Sequence, residues 1–357
     1  MISLPTGSGK TFVTISAIQQ LKMKPLIVVD KIALAEQWRD QFLFHTDLKE
    51  DDIFILSGSE SIEYAQKNNP AKIYIAIHRT LGNMLTDDIN SVNILMRKLK
   101  IGIRIFDESH VEFKNICNIN SFSNVRYTIY LTATPHRSQF AENKLYERVF
   151  KNIPYFDGKS LSGDRYHTVV LVKMNSKPDM ATQGSVRTRY GFSSAKWARY
   201  IEEDGYDAFY ENLDLLLSKF KLIERGMKTA IVLPTINLIK KVEHDLLRDH
   251  PEISLGTFIG EMKGDKRTEA REKTFILTND KMFDKAIDVP GLEILINYVQ
   301  FASSVKNEQL IGRLRYQPGK IAMMVDVGDS GFTETLRQFK IRKRFYKKYA
   351  KSITEIN

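Results

Sequence analysis

Short apolar runs recur along the chain with helix-period segments between them. Leu26–Val29, Ile53–Leu56, Ile73–Ile77, Ile101–Phe106 and Tyr127–Leu131 are apolar at nearly every position, so both faces of each are to be buried. That pattern predicts the strands of a parallel sheet covered by helices, and Phe12–Leu21 has the helical period. A second series follows at Thr229–Leu233, Ser254–Ile259, Thr274–Leu277, Ile294–Val299 and Ile321–Val327, opened by a strand over Tyr166–Lys173. The fold class is therefore α/β, with two sheets. Between the series, Ile153–Asp164 holds Pro154, Gly158, Ser160, Ser162 and Gly163, a composition that resists regular structure and suits a linker. The expected organisation is a first domain over 1–152, a linker over 153–164 and a second domain over 165–357. Within the second, Met174–Arg189 reads as loop and Ser193–Arg225 as helices broken near Gly205. No internal repeat or low-complexity tract interrupts the chain.

A length of 357 residues favours two cores over one, in agreement with the pattern. A net charge of +10 points to a polyanionic partner such as nucleic acid, although a basic surface also serves solubility. The single cysteine, Cys117, excludes an intramolecular disulfide and a cysteine-based zinc site and suits a reducing compartment. No apolar run reaches membrane-spanning length and no signal peptide opens the chain. A soluble cytoplasmic protein is expected, in the host cytoplasm if the source is viral.

The chemistry begins at Leu4–Thr11, Leu-Pro-Thr-Gly-Ser-Gly-Lys-Thr, between a short apolar stretch and a helix. Backbone N–H groups of Gly7, Ser8 and Gly9 can wrap a polyphosphate because glycine turns tightly, while Lys10 reaches the outer phosphates and the Thr11 hydroxyl ligates Mg²⁺. The helix that follows directs its positive end at the same anion. A generic phosphate loop has glycine where Leu4 stands. The second stretch is Phe106-Asp107-Glu108-Ser109-His110, at the end of a predicted strand. Carboxylates there lie in the crevice where α/β sheets bind ligands. Asp107 is placed to hold the Mg²⁺ touched by Thr11, and Glu108 to orient and deprotonate an attacking water. Ser109 has no triad partner evident from sequence, and the histidines show no metal-ligand spacing.

In this order the motifs resemble those of the DExH-box helicases of superfamily 2. Asp107-Glu108-Ser109-His110 is similar to motif II, and Leu4–Thr11 to motif I, which this superfamily often writes without the leading glycine. Leu26–Trp38 resembles motif Ia, Leu131-Thr132-Ala133-Thr134-Pro135 motif III, and Ala230–Pro234 the strand of motif IV. Ala286-Ile287-Asp288-Val289-Pro290 resembles the end of motif V, and Gln309-Leu310-Ile311-Gly312-Arg313 motif VI. The detail is most similar to the branch of phage UvsW-type helicases, XPB and the motors of restriction enzymes.

The resemblance implies two RecA-like domains with ATP and Mg²⁺ in the cleft between them, and DNA rather than RNA as substrate. It implies a nucleotide site of Pro5, Thr6, Gly7, Ser8, Gly9, Lys10 and Thr11 with Asp288, Gln309 and Arg313. Lys10, Asp107, Glu108 and Arg313 would carry catalysis, with Thr11 and Asp107 on the metal. Arg313 would be the arginine finger, Gln309 its link to motif II, and Asp288 a ribose or cleft contact. The family's second arginine falls at Tyr316, with Arg315 one residue earlier, and Ala286 replaces a glycine. Thr132, Thr134 and His110 would couple the ATP site to the strand-holding face. Only Met1, Ile2 and Ser3 precede motif I, where the family has an adenine-recognition segment, so the chain is either N-terminally short or grips mainly the triphosphate.

Lys31, Ile32, Arg79, Thr80, Thr278 and Asn279 are candidate nucleic-acid contacts by position. In the tail Arg337–Lys351, basic residues interleave with aromatics, which suits nucleic-acid stacking. The helical spacing of Leu336, Phe339, Lys343, Tyr346 and Ala350 equally suits a docked helix with a basic solvated face. Three functions remain open: a helicase, a duplex translocase that does not separate strands, and a non-catalytic nucleic-acid-binding module with a degenerate ATP site. A protein partner supplying specificity is possible in each; a membrane is not expected.

Overall fold

The computed structural model describes residues 1–4, 9–132, 140–158, 165–189, 191–260, 265–280 and 289–356. They fall into two compact units, Met1–Gly163 and Asp164–Asn357.

The first unit runs β1 (Ile2–Ser3), α1 (Lys10–Leu21), β2 (Pro25–Val29), α2 (Ile32–His45), β3 (Ile53–Leu56), α3 (Ser59–Asn68) and β4 (Ile73–Ile77). It continues with α4 (His78–Asp87), α5 (Ser91–Lys98), β5 (Ile103–Phe106), α6 (Phe113–Phe122), β6 (Tyr127–Thr132), α7 (Phe140–Phe150) and β7 (Phe156–Asp157). The strands form one sheet in the order β3-β4-β2-β5-β6-β1-β7, parallel at every pairing. Central strand β2 is buried at all five positions because helices cover both its faces. The linker expectation is corrected at Phe156–Asp157, which pairs with Ile2–Ser3 and adds an edge strand to this sheet.

The second unit runs β8 (Thr168–Met174), α8 (Met180–Ser185), β9 (Arg187–Thr188), β10 (Gly191–Phe192), α9 (Ser194–Glu202), α10 (Tyr206–Lys219), β11 (Thr229–Leu233) and α11 (Ile236–Asp249). Then come β12 (Leu255–Phe258), α12 (Asp265–Glu272), β13 (Phe275–Asn279), β14 (Ile294–Asn297), α13 (Ser304–Ile311), β15 (Met323–Asp329), α14 (Thr333–Tyr349) and β16 (Ser352–Ile356). Its sheet has the order β12-β13-β11-β14-β15-β8-β16, again parallel throughout. Two features depart from the sequence expectation. The segment read as loop carries the short helix α8 and the β9–β10 hairpin, and the tail helix is followed by a strand, β16, which pairs with β8.

The tail helix α14 docks rather than projects. Phe339, Phe345 and Tyr346 are buried, as the docked-helix alternative expects, and so is Arg342, which lay outside the docking stripe read from the sequence. The Arg342 guanidinium donates through Nε to Asp326 on β15 (2.8 Å) and through Nη1 to the Phe301 carbonyl (2.9 Å), and both charged groups are fully buried. Burial pushes the Asp326 carboxyl up, against the pull of Arg342 and of the Asn297 amide. Arg337, Lys340, Arg344, Lys347 and Lys348 form the exposed face.

Candidate active site

In a parallel sheet all strand C-termini lie along one edge, and the first unit brings its charged residues there. Gly9, at the N-terminus of α1, has φ +86°, a conformation that disfavours any side chain. Lys10 and Thr11 follow in the first turn of α1, and the Lys10 Nζ lies 3.1 Å from Glu108 Oε1. Asp107 and Glu108 stand immediately beyond β5. The Asp107 N–H extends the ladder by donating to the Val28 carbonyl at 3.0 Å, which fixes the carboxylate against the sheet. Glu108 takes φ +46°, a left-handed conformation that costs free energy for a non-glycine residue and recurs at functional sites. Its N–H donates to Asp107 Oδ1 at 2.9 Å.

Asp107 is half-buried, and its carboxyl is pushed up from the usual range first by loss of hydration and then by the Glu108 carboxylate; Lys10 and two hydrogen bonds oppose the shift. One of those bonds comes from the Trp38 indole, whose Nε1 donates to Asp107 Oδ2 at 2.8 Å from the inner face of α2. The carboxylate of Asp107 and the hydroxyl of Thr11 are hard oxygen ligands of the kind Mg²⁺ takes, and a carboxylate with a raised pKa is one that a divalent cation would hold ionised. The donor set therefore fits the ion.

His110 is buried beside Glu108. Its Nδ1 lies 3.0 Å from Thr132 Oγ1 at the end of β6 and 3.3 Å from Glu108 Oε2, so motif II and the first threonine of motif III meet through this ring. Ser109 is fully buried and its N–H donates to Leu131. Next to this group, His78 stacks on Phe106 with ring centroids 5.7 Å apart. Burial pushes the His78 imidazole down to about 4, with Asp30 pulling the other way, and neither ring nitrogen has a hydrogen-bond partner.

In the second unit, Gln309 and the half-buried Arg313 lie on and just past α13. Ser303 caps that helix by accepting from Lys306 N, and Tyr346 of α14 donates to Asn307 Oδ1 at 3.2 Å. His167 Nε2 lies 2.8 Å from the Leu314 carbonyl beyond the helix, and Tyr316 packs its ring against Tyr166 at 5.5 Å. Pro5, Thr6, Gly7 and Ser8, the motif III residues Ala133, Thr134 and Pro135, and the motif V residues Ala286, Ile287 and Asp288 lie outside the described residues.

Of the candidate nucleic-acid contacts, Lys31, Ile32 and Arg79 are exposed and Thr80 is half-buried, all beyond strand ends. Thr278 and Asn279 are corrected: both are buried in β13, which removes their side chains from a docking surface. The sequence reading named Trp38 only as the end of motif Ia and gave it no role at the site; in the structure it shares the buried face of α2 with Ala35 and Phe42. The signal available was chemical, since a buried indole N–H needs an acceptor. Among the described residues, no cluster of metal-ligating side chains and no helix long and apolar enough to cross a membrane is present.

Comparison with known proteins adds to this geometry. Residues 1–137 match the family described as the type III restriction enzyme, res subunit. A putative DNA 3'-5' helicase Rad25 from Haloarcula marismortui is 32% identical over 142 residues, covering 40% of this chain and 21% of its own length. The DNA 3'-5' helicase XPB from Kineococcus radiotolerans is 23% identical over 328 residues, covering 88% of this chain and 53% of its own. The chain thus spans about half or less of these relatives. The fragment structure of a putative HsdR subunit of a type I restriction enzyme from Vibrio vulnificus superposes with a TM-score of 0.61, covering 99% of this chain and 64% of that one. At 17% identity that likeness shows the fold, two RecA-like domains.

Proposed function

We propose that the chain, similar to XPB and to the restriction-enzyme motors, is an ATP-driven motor on DNA of helicase superfamily 2. The observation that supports this best is the Lys10–Glu108 contact of 3.1 Å beside Asp107, whose carboxyl is pushed up, at the end of a parallel strand. A phosphate loop and a carboxylate pair so joined are the parts that phosphoryl transfer to water requires.

When bound, Mg²⁺ would neutralise charge on the phosphate oxygens; Thr11 and Asp107 are its proposed ligands. Lys10 exchanges Glu108 for the outer phosphates as the triphosphate enters. That exchange frees the Glu108 carboxylate to take a proton from the attacking water. We assign Arg313 the neutralisation of the transferring phosphoryl group, Gln309 its positioning, and Asp288 a nucleotide contact. The Glu108–His110–Thr132 chain is the proposed route by which the state of the nucleotide reaches the strand-holding surface. The 3'-5' direction and DNA as substrate are carried over from the names of the relatives. The proposed setting is the cytoplasm, with a protein partner supplying the choice of DNA structure.

ATPase rates with single-stranded, duplex and forked DNA and with RNA, followed by strand displacement on the stimulating substrate, test the reading. DNA is expected to stimulate turnover. Lys10→Ala is expected to abolish it, and Glu108→Gln to bind ATP while hydrolysing it very slowly. Normal turnover by Lys10→Ala would sink the assignment. Absence of any nucleic-acid stimulation would favour a binding module, and stimulation by duplex without strand displacement a translocase.

A further inference from the structure

The helix α1 does not bury all of its apolar residues. Ile15 and Ile18 face the core, while Phe12 is 55% exposed. Phe44, next to last in α2, is 80% exposed. Single exposed apolar side chains are ordinary on a protein surface and need no ligand to explain them. These two are not single. The ring of His45, the last residue of α2, stands edge-on to Phe12 with centroids 5.2 Å apart and edge-on to Phe44 at 4.9 Å. Two helices thus join three rings in one exposed cluster.

Two observations say what that cluster serves. The Val13 N–H makes the first intrahelical bond of α1, to the Gly9 carbonyl at 3.0 Å, so the amides of Lys10, Thr11 and Phe12 are those that a helix start leaves for an anion. An aromatic side chain on a helix leans back over the turn N-terminal to its own Cα, which carries the Phe12 ring toward the same end. The second observation is that α2 already belongs to the site, since its Trp38 donates to Asp107 Oδ2 at 2.8 Å. The base of a nucleotide stands one sugar away from the innermost phosphate, and its flat face stacks on aromatic rings.

We propose that Phe12, Phe44 and His45 form a stacking platform for the nucleobase, and that the chain therefore takes purine nucleoside triphosphates as a class, with adenine and guanine accepted alike. Stacking reads the area of a ring system and not its hydrogen-bonding edge, so a purine gains more than a pyrimidine and the two purines gain equally. The two phenyl rings have no hydrogen-bonding group with which to choose between them. The one polar ring of the cluster, His45, adds an N–H, and the N7 acceptor it could meet is present in both purines. This rests on the phosphate-site part of the reading above.

The test is calorimetric titration of the chain with ADP, GDP, CDP and inorganic pyrophosphate, each with Mg²⁺, which needs no suppression of hydrolysis. The wild-type chain is expected to bind ADP and GDP with similar constants, CDP more weakly, and pyrophosphate weakest by roughly tenfold or more. In Phe12→Ala/Phe44→Ala, ADP and GDP are expected to weaken roughly tenfold or more while pyrophosphate binds as before. A variant that lost its fold would lose pyrophosphate as well; Phe12→Leu/Phe44→Leu, which keeps apolar bulk and removes the ring faces, is then the decisive protein. An unchanged ratio of ADP to pyrophosphate affinity in the folded variant overturns the platform. A wild-type preference for ADP over GDP as large as that for ADP over pyrophosphate overturns the purine breadth. A chain that binds none of the four overturns the phosphate site and the platform with it. A chain with the expected binding ratios whose turnover no nucleic acid stimulates overturns the motor reading and leaves the platform standing.

Discussion

Replacing Arg342 by methionine removes the cation from a fully buried ion pair and keeps most of the side-chain volume. Asp326 would then keep the Asn297 amide as donor at 2.8 Å but lose both contacts to Nε, at 2.8 and 3.1 Å. The Phe301 and Val327 carbonyls would lose their bonds to the guanidinium at 2.9 and 3.2 Å. A buried pair deprived of one partner costs about 3–5 kcal/mol, because the remaining charge has neither water nor counter-charge. For a unit of this size that is a fall in midpoint of roughly 6–20 °C. Trp38 and Trp197 are the two tryptophans, one in each unit, so in a Trp38→Phe background fluorescence of the buried Trp197 follows the second unit alone. The companion variant Arg342→Met/Asp326→Leu removes both charges and is expected to be more stable than Arg342→Met by about 3–5 kcal/mol, since a hydrophobic pair of similar volume replaces a buried ionic one at little net cost. A loss under about 1 kcal/mol for Arg342→Met, or a double variant less stable than the single, would refute the account. Because Arg342 also holds the Phe301 carbonyl just before α13, the single variant is expected to lower ATPase turnover more than ATP affinity.

Trp38→Phe keeps the ring and deletes the donor to Asp107; a hydrogen bond to a charged group contributes about 1.5–3 kcal/mol, so turnover should fall roughly tenfold or more and require a higher Mg²⁺ concentration, and an unchanged Mg²⁺ titration would count against the positioning role. His78 has a folded pKa of about 4 against 6.5 unfolded, so between those values the unfolded chain binds the extra proton and stability falls as the pH falls. The loss is about 2 kcal/mol from pH 7 to pH 5. His78→Phe, which preserves the stack on Phe106 and abandons no hydrogen bond, should abolish that part of the pH dependence; identical melting profiles for both proteins over this range would contradict it.

What was legible in the sequence and what was not follows from where the determining interaction lies. Strands such as Ile53–Leu56 and Thr229–Leu233 fall where their apolar runs fall, because a strand buried on both faces leaves a continuous signal. Lys10, Asp107 and Glu108 were equally legible, since phosphate chemistry fixes residue types at fixed places after strands. Ile2–Ser3, Phe156–Asp157 and Ser352–Ile356 were not, because each is an edge or near-edge strand whose pairing is set by a distant partner; β16 is buried nowhere along its length. The same non-locality hid Trp38 and Arg342. Trp38 read only as the end of motif Ia, and Arg342 as one of the basic residues of the tail. Each instead satisfies a carboxylate on or just beyond a strand, Asp107 or Asp326, outside its own helix. An acid in or directly after an apolar run is the recurring sign. Asp326, near the end of the apolar run Ile321–Val327, obliged some cation to be buried with it, and in a tail with no acidic residue from Arg337 to Lys351 the cation was present and its direction was hidden.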